Sequence, residues 1–372
     1  MFDDLSAQSG AAAGPAPGRL TIDLGAIRAN FTQLQRIAGS PVGAVVKANA
    51  YGMGAGPVAT ALLAEGCRDF FVAHLGEALS LRPFLPPEAR LYVLNGLLPG
   101  GETPCAAASI IPVLNSLEQI DAWANTAKAL GRTLPGVLQF DTGMSRLGIA
   151  PEDRAEAARR IGAANIELAF VMSHLASADE PNDAQNADQA AEMRRALAEF
   201  GAEKMCFANS GGIFLGADFR GVLARTGIAL YGGATENGVK SPLRHAIGLE
   251  IAVIQTCRVE AGARIGYGGT HIATRPMRLA TLAAGYADGL PRSLSDRGAV
   301  YCDGVRLPIV GRVSMDSMVV DISALPEGRL TLGSPVEMLG VHQSMDDLAR
   351  DAGTISYEIL TGLGPRFARL YI

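Results

Sequence analysis

Short apolar segments alternate with helix-like segments through the first 230 residues, and this alternation constrains the fold more than any other feature. The apolar segments, rich in Val, Ile, Leu and Phe, lie near 42–46, 69–73, 90–94, 109–113, 136–141, 166–172, 203–208 and 221–230. Stretches with helical spacing separate most of them, for example 116–131, 151–162 and 184–200. Strands that alternate with helices pair in parallel through right-handed crossovers. Eight such units predict a (β/α)8 barrel, with an open doubly wound sheet as the alternative.

The pattern changes after about residue 235. The segment 234–242 (ATENGVKSP) is polar and rich in turn residues, so we interpret it as a linker. Beyond it, β-like runs separated by Gly-rich turns lie at 246–259, 278–284, 299–302, 305–310 and 317–322. These runs predict a second, mostly antiparallel β domain. The predicted division is a disordered Ala-, Gly- and Pro-rich tail over 1–18, the barrel over 19–238 and the β domain over 239–372.

Charge and cysteine usage exclude several classes of protein. Lys plus Arg number 32 against 37 Asp plus Glu, and no long basic tract exists, which argues against nucleic acid or an anionic membrane as a partner. No apolar stretch approaches the ~18 residues of a membrane span, and the N-terminus lacks the pattern of a signal peptide. The five cysteines are scattered and form no CxxC pair. We therefore expect reduced thiols, no metal site and a cytoplasmic location.

Two motifs suggest other functions and are weaker than they first look. Gly52, Gly54 and Gly56 follow a strand, but their spacing is GxGxG rather than the GxGxxG of dinucleotide-binding loops, so an NAD-dependent oxidoreductase is only an alternative. The segment 344–364 has the pattern of a helix-turn-helix. Its charged side chains are mostly acidic, which a DNA duplex would repel, so we predict an ordinary helical hairpin.

Polar residues recur at the ends of the predicted barrel strands. Lys47 ends an apolar strand in AVVKANAYG, where desolvation lowers the pKa of an amine and favours Schiff-base chemistry. Four further groups follow later strands: the segment 141–146 (DTGMSR), His174, the pair Asn209 and Ser210, and the pair Arg225 and Gly227. Each alone has a purely structural interpretation, such as a turn former, a core histidine or a rim charge. Because the carboxyl ends of barrel strands meet at one face, their coincidence predicts a site there.

The composition of this predicted site favours one cofactor. The loops ANSGG and RTGI would offer backbone N–H groups to an anion, in the place where barrels commonly bind phosphate. A reactive lysine, a phosphate cradle and an arginine together indicate pyridoxal 5′-phosphate (PLP).

The motifs also resemble those of a known family. AVVKANAYGMG closely resembles the PLP-lysine signature of bacterial alanine racemases. The resemblance covers nearly the whole chain after the tail, through DTGMSRLG, SHLASAD, ANSGG, RTGIALYG, IGYGGT, AGYADGLPR, GRVSMD and ISYEILTGLGPR. It implies an N-terminal (β/α)8 barrel, a C-terminal β domain and a head-to-tail homodimer with shared active sites. It also implies interconversion of L- and D-alanine through a Schiff base with PLP.

The resemblance assigns roles to individual residues. Lys47 would bind the cofactor covalently and act as one catalytic base, and Tyr267 of the partner subunit would act as the other. His174 would pack beside the pyridine ring, and Arg225 would donate a hydrogen bond to its nitrogen. The predicted cofactor-binding set is completed by Tyr51, Asn209, Ser210, Gly227, Ile228 and Tyr357. The substrate carboxylate would be bound by Arg146 and the backbone N–H of Met315, with Tyr286 and Met315 of the partner subunit narrowing the pocket.

The implied chemistry is physically coherent. Racemisation removes a proton from one face of Cα and delivers one to the other face, which suits two bases on opposite sides. We expect the reaction to supply D-alanine for peptidoglycan. Two further alternatives are a broader-specificity or catabolic racemase of the same family and a non-catalytic PLP-binding barrel protein; the β domain with Tyr267 argues against the latter.

Two positions depart from the family pattern. Gln139 stands where many members have a carbamylated lysine, whose negative charge supports the carboxylate-binding arginine. Gln139 has no charge, so we expect Arg146 to be held less firmly or to be balanced by a bound anion. Ser314 stands where cysteine is common in the family, and we attach no functional consequence to that change.

Overall fold

A computed structural model describes residues 16–372 of the chain. Contacts between residues divide the described chain into two compact units. The barrel unit comprises 23–246 with 371–372, and the β unit comprises the described residues up to 22 with 247–370. The first strand, β1 (Gly18–Ile22), belongs to the β unit because it pairs antiparallel with a strand that begins at Ile247.

Eight short strands build the barrel unit. They are β2 (Val42–Val45), β3 (Asp69–Val72), β4 (Arg90–Val93), β5 (Ile111–Leu114), β6 (Leu134–Gln139), β7 (Ile166–Met172), β8 (Met205–Cys206) and β9 (Ala224–Thr226). They pair in parallel in the order β8-β7-β6-β5-β4-β3-β2-β9. Beside the two end strands, the Arg225 amide donates to the Ala208 carbonyl at 2.9 Å. The sheet is therefore nearly closed, and the predicted barrel is confirmed over the open sheet.

The first helix precedes the first barrel strand, and the later helices connect successive barrel strands. In chain order, the helices are α1 (Leu24–Ala38), α2 (Lys47–Tyr51), α3 (Ala55–Ala64), α4 (Leu75–Leu81), α5 (Glu102–Ala107), α6 (Leu117–Leu130), α7 (Arg154–Gly162), α8 (Ala184–Phe200) and α9 (Gly212–Leu215). Helix α8 shows why the sequence predicts them well. Its N-cap Asp183 accepts a hydrogen bond from the Gln185 amide at 2.8 Å, and Gly201 ends it in the left-handed conformation.

Aromatic side chains pack inside the barrel. A polar cluster lies at the amino ends of β3 and β4. Phe71 and Tyr92 are fully buried and stack with ring centroids 4.6 Å apart. Asp69 opens β3 opposite Arg90 on β4, and the two side chains form a bidentate pair at 2.6 and 2.7 Å. The Tyr92 hydroxyl donates to the same carboxylate at 2.9 Å, so the buried charge is fully partnered at the end opposite the predicted site.

The β unit is an antiparallel sheet around one long strand. Its strands beyond β1 are β10 (Ile247–Val259), β11 (Arg264–Ile265), β12 (His271–Ile272), β13 (Met277–Leu282), β14 (Ala299–Cys302), β15 (Val305–Pro308), β16 (Met318–Asp321), β17 (Pro335–Leu339) and β18 (Ala368–Tyr371). Strand β10 pairs antiparallel with β1, β13 and β17. Its inward side chains Leu249, Ile251 and Val253 are fully buried, as alternation along a half-buried strand requires. The predicted antiparallel β region is confirmed.

The segment 344–364 forms a helical hairpin, as predicted. Helix α10 (Met345–Ala352) begins with a capping box between Ser344 and Asp347, whose reciprocal hydrogen bonds are both 3.1 Å long. Gly353 ends the helix with φ +72°, a conformation that disfavours residues with a Cβ, and α11 (Ser356–Gly362) follows.

The predicted domain limits remain proposals, and the unit boundaries lie close to them. Most of the predicted tail over 1–18 lies outside the described residues. The barrel unit ends at residue 246, whereas the predicted barrel ends at 238, because the polar segment after 234 packs with the barrel unit. Within 16–372, no helix combines the length and apolar character that a bilayer crossing requires.

Candidate active site

Lys47 comes directly after the buried strand β2 and Val46. Strand β2 is buried over its whole length, and the Val46 amide donates to the Phe71 carbonyl of β3 at 2.8 Å, which keeps Lys47 at the strand end. The Lys47 side chain is half-buried. Burial lowers the pKa of its amine below the usual value, and the nearby Arg146 and Arg225 cations lower it further, whereas Glu77 raises it. A larger share of neutral amine is therefore present for attack on a carbonyl carbon.

The four residues after Lys47 form a left-handed helical turn. Ala48, Asn49, Ala50 and Tyr51 have φ between 51° and 57°, although none is glycine. Such a conformation costs roughly 1–2 kcal/mol per residue, so the turn persists only because surrounding contacts hold it. The turn directs Tyr51 into the barrel unit, where its ring lies 5.2 Å from that of Tyr231.

Arg225 is a buried cation whose guanidinium is held by carbonyl groups. It is 2% exposed and donates to the Cys206 and Ser173 carbonyls, each at 2.8 Å. It also lies 3.3 Å from Nδ1 of His174. Burial lowers the pKa of His174 to about 3, with further lowering by Arg225, Arg146 and Lys47. His174 is therefore neutral at physiological pH and accepts at Nδ1 from Arg225.

Hydroxyl and amide groups converge beyond the ends of β8 and β9. The Ser210 hydroxyl accepts from the Gly227 amide at 2.9 Å and from the Ala229 amide at 3.5 Å. A Cβ at Gly227 would lie 2.2 Å from the hydroxyl of Tyr51, so only glycine permits this approach. Beside them, the buried hydroxyl of Thr226 has no hydrogen-bond partner among the described residues. Clustered hydroxyls and N–H groups suit a phosphate, and this cluster fits the phosphate of PLP.

Asn209 stabilises the loop that carries Ser210. Its amide group donates to the Leu175 carbonyl at 3.1 Å and accepts from the Gly212 amide at 2.9 Å. The amide is thus engaged by backbone at both ends, and a direct contact of Asn209 with a cofactor remains a prediction.

The loop of Arg146 is shaped by an aspartate and by Gln139. The Asp141 carboxylate accepts from the amides of Gly143, Met144 and Ser145 at 2.9 to 3.1 Å. Arg146 is exposed. Gln139 is buried at the end of β6, and its side-chain amide donates to the carbonyl of Leu147 at 3.1 Å. Gln139 thus contacts the residue next to Arg146 in sequence, without a charge of its own.

The other predicted residues lie in the β unit with exposed side chains, Tyr357 on helix α11 and the rest on loops or short turns. Tyr267 is 72% exposed and Tyr286, Met315 and Tyr357 are 42–53% exposed. The loops of Tyr286 and Met315 are tied together, because the Tyr286 amide donates to the Ser314 carbonyl and the Ala287 amide to the Met315 carbonyl, each at 3.0 Å. Their roles, like those of the barrel residues, remain predictions from the resemblance.

One residue near Lys47 escaped the sequence analysis. The Glu77 carboxylate accepts the amide of Ala48 at 2.6 Å and that of Ala73 at 2.7 Å. Its position in sequence, three residues after His74 at the start of a helix, is that of a capping-box glutamate. That signal predicts a local cap and gives no hint of the contact with Ala48.

Comparison with known proteins decides the family. The family model described as "Alanine racemase, N-terminal domain" matches residues 22–235, and "Alanine racemase, C-terminal domain" matches residues 246–371. The chain belongs to the alanine racemase family. The assignment confirms the predicted class of enzyme and its cofactor, PLP.

Relatives match along nearly their whole length. A protein of Rhizobium johnstonii named "Alanine racemase, catabolic" is 60% identical over 359 residues, which cover 96% of this chain and 95% of the relative. An alanine racemase of Brucella ovis is 53% identical, with 96% and 94% covered. Among solved structures, that of the Bartonella henselae alanine racemase with covalently bound pyridoxal phosphate has a TM-score of 0.92 and 41% identity, covering 96% of this chain and 100% of that one.

Proposed function

We propose that this member of the alanine racemase family interconverts L- and D-alanine with PLP at the carboxyl end of its barrel. The observation that carries the proposal is the position of Lys47, a desolvated amine at a strand end, in the same electrostatic neighbourhood as Arg225 and Arg146. When bound, PLP supplies an electron sink that acidifies the Cα–H bond of the substrate.

The barrel residues divide into groups that would hold different parts of the cofactor. Tyr51, Ser210 and the amides of Gly227 and Ile228 would hold the phosphate, together with Tyr357. Arg225 would donate to the pyridine nitrogen. Because a guanidinium does not release its proton near neutral pH, it would leave that nitrogen unprotonated. His174, neutral with a pKa of about 3, would pack beside the ring without adding another positive charge.

Two bases would exchange protons at opposite faces of Cα. Lys47 would serve one face with its amine, whose lowered pKa favours the neutral form that accepts a proton. Tyr267 of the partner subunit would serve the other face.

A homodimer would complete the site. Tyr267, Tyr286 and Met315 are exposed aromatic and sulfur-containing side chains of the β unit, and the loops of Tyr286 and Met315 are tied together. Exposed aromatic and methionine side chains are enriched where protein surfaces bind one another. We infer that they enter the barrel site of a second copy, where Arg146 and the amide of Met315 would bind the substrate carboxylate. The cytoplasmic location predicted from cysteine usage is part of this proposal.

Two physiological roles use the same reaction. Supply of D-alanine for peptidoglycan is the role predicted from the sequence. Two relatives, from Rhizobium johnstonii and Agrobacterium fabrum at 60% and 57% identity, are instead named catabolic. These names favour alanine catabolism as the second candidate. Deletion of the gene discriminates: a D-alanine requirement indicates peptidoglycan supply, and loss of growth on alanine as carbon source indicates catabolism.

Loss of optical activity tests the reaction itself. Purified protein with PLP is incubated with a panel of L-amino acids, and polarimetry follows each solution. We expect alanine to racemise fastest and the Lys47→Ala variant to be inactive. Racemisation of another amino acid in preference to alanine would identify a broader-specificity racemase, and no racemisation at all would contradict the proposal.

A further inference from the structure

The left-handed turn after Lys47 requires support because its conformation is intrinsically unfavourable. Four consecutive non-glycine residues, Ala48 to Tyr51, have positive φ. The turn keeps some hydrogen bonds of its own, such as that from the Gly52 amide to the Ala48 carbonyl at 2.8 Å. The Asn49 side chain accepts from the Ala55 amide at 2.8 Å and so anchors the far end of the turn. The end adjacent to Lys47 needs an anchor of a different kind.

Glu77 provides that anchor from the neighbouring strand–helix connection. One oxygen, Oε1, accepts from the Ala48 amide at 2.6 Å. The other, Oε2, accepts from the Ala73 amide at 2.7 Å and from the His74 amide at 3.2 Å. A single half-buried carboxylate therefore joins the segment after β2 to the segment after β3. Hydrogen bonds from amides to a carboxylate are about twice as strong as neutral ones, which suits a strained segment.

We propose that Glu77 is a positioning residue for Lys47, acting through the amide of Ala48 to fix the start of the left-handed turn. The inference rests on the proposed function in so far as Lys47 is the residue that binds PLP. The Glu77 carboxylate is also close enough to the Lys47 amine to raise its pKa, against the lowering by burial, Arg146 and Arg225. Glu77 thus combines a geometric and an electrostatic effect on the same amine.

The Glu77→Gln variant tests the hydrogen bond to the Ala48 amide separately from those to the Ala73 and His74 amides. A glutamine side chain has one acceptor oxygen and one NH2 group. Two amides, those of Ala73 and His74, compete with one amide, that of Ala48, for the remaining oxygen. We expect the oxygen to stay with the pair, so the NH2 group then faces the Ala48 N–H and the turn loses its anchor. The α4 cap survives, which limits damage to the rest of the fold.

Three measurements on the full-length chain read the result. Hydrogen exchange of the PLP-free chain should rise in the peptide 46–53 and stay unchanged in 73–80. After reconstitution with PLP, borohydride reduction should label Lys47 about ten-fold more slowly, as expected from the loss of one hydrogen bond to a charged acceptor. Loss of the carboxylate alone would lower the pKa of Lys47 and favour its neutral amine, so slower labelling reports the displaced lysine and not the changed charge. For alanine, kcat should fall by a similar factor with little change in KM, because the group that is displaced acts on the reacting atoms.

Glu102→Gln is the matched control. Glu102 is also a half-buried carboxylate at the start of a barrel helix, and it accepts the Gly100 amide at 2.8 Å. This variant should match the wild type in all three measurements. The inference is overturned if Glu77→Gln also matches the wild type in exchange over 46–53 and in labelling of Lys47. Failure of the wild-type chain to take up PLP on Lys47 would instead contradict the proposed function, while hydrogen exchange would still decide whether Glu77 holds the turn.

Discussion

At the scale of single residues, the neutrality of His174 follows from its surroundings. Burial and three nearby cations lower its pKa from 6.5 to about 3. The unfolded chain therefore binds a proton that the folded chain does not, so this group's contribution to stability is complete above about pH 6.5 and is lost as the pH falls toward 3. We expect the imidazole of the folded, PLP-free chain to remain neutral at about pH 5. NMR of the His174 ring nitrogens as a function of pH measures this. A His174 signal that titrates near its ordinary pKa would contradict this expectation.

The His174→Asn variant gives a second test. It should flatten the pH dependence of the free energy of unfolding between about pH 3 and pH 6.5.

Gln139 offers a second prediction at this scale. Its amide holds the Leu147 carbonyl next to Arg146 and carries no charge. Gln139→Leu leaves that carbonyl without its donor, so we expect KM for alanine to rise about three- to ten-fold through a poorly oriented Arg146. Gln139→Glu should retain more activity than Gln139→Leu if charge balance at Arg146 matters.

Since Gln139 has no amine to carbamylate, activity should not depend on dissolved CO2, and a small anion such as chloride should bind near Arg146. An unchanged KM in Gln139→Leu, with no anion density beside Arg146 in a crystal structure, would show that Gln139 does not support the arginine.

At the scale of structural elements, Arg366 joins the loops of Tyr286 and Met315 through two ion pairs. The Asp288 side chain is 1% exposed and pairs with Arg366 at 2.6 and 2.8 Å, while Arg366 also binds Asp316 at 2.7 Å. Arg366→Gln would leave a buried carboxylate without its cation, at an expected cost of about 2–4 kcal/mol in the free energy of unfolding. Chemical denaturation measures this loss. Arg329→Gln, which removes an exposed pair with Asp303, is the control and should cost less than about 1 kcal/mol; equal losses would contradict the account.

Local sequence signals predicted most elements because the physics that forms them is local. Helix α8 matches its predicted range, since Asp183 and Gly201 cap its ends. Strand β9 is much shorter than the predicted 221–230, because Gly227 begins a turn after Thr226. The pairing of β1 with β10 joins residues more than two hundred positions apart, and no local pattern specifies such a partner.

In the site, too, the residues that were predicted are those whose position follows from local sequence patterns. Lys47 ends an apolar strand, so its position in the barrel follows from topology. Glu77 lies 29 residues after Ala48 along the chain, and its bond to the Ala48 amide depends on a left-handed turn of residues that normally avoid this conformation. Backbone geometry of this kind leaves no signature in side-chain patterning.

At the scale of the whole molecule, the proposed dimer predicts complementation between inactive variants. Lys47→Ala lacks the barrel lysine, and Tyr267→Phe lacks the partner base. When the two are mixed under subunit exchange, hybrid dimers contain one site in which both residues are wild type, so activity should recover. Mass spectrometry of differently labelled chains confirms the exchange. If activity does not recover although exchange of subunits is proven, the site is formed within a single chain.

If Lys47 and Tyr267 serve opposite faces of the alanine Cα, exchange of the hydrogen on that carbon distinguishes the two bases. Single-turnover incorporation of solvent deuterium is measured for the Tyr267→Ala variant with each enantiomer of alanine. We expect exchange from L-alanine to be impaired far more than exchange from D-alanine, because Lys47 still serves the other face. Equal impairment for both enantiomers would contradict the division of the two bases between the faces.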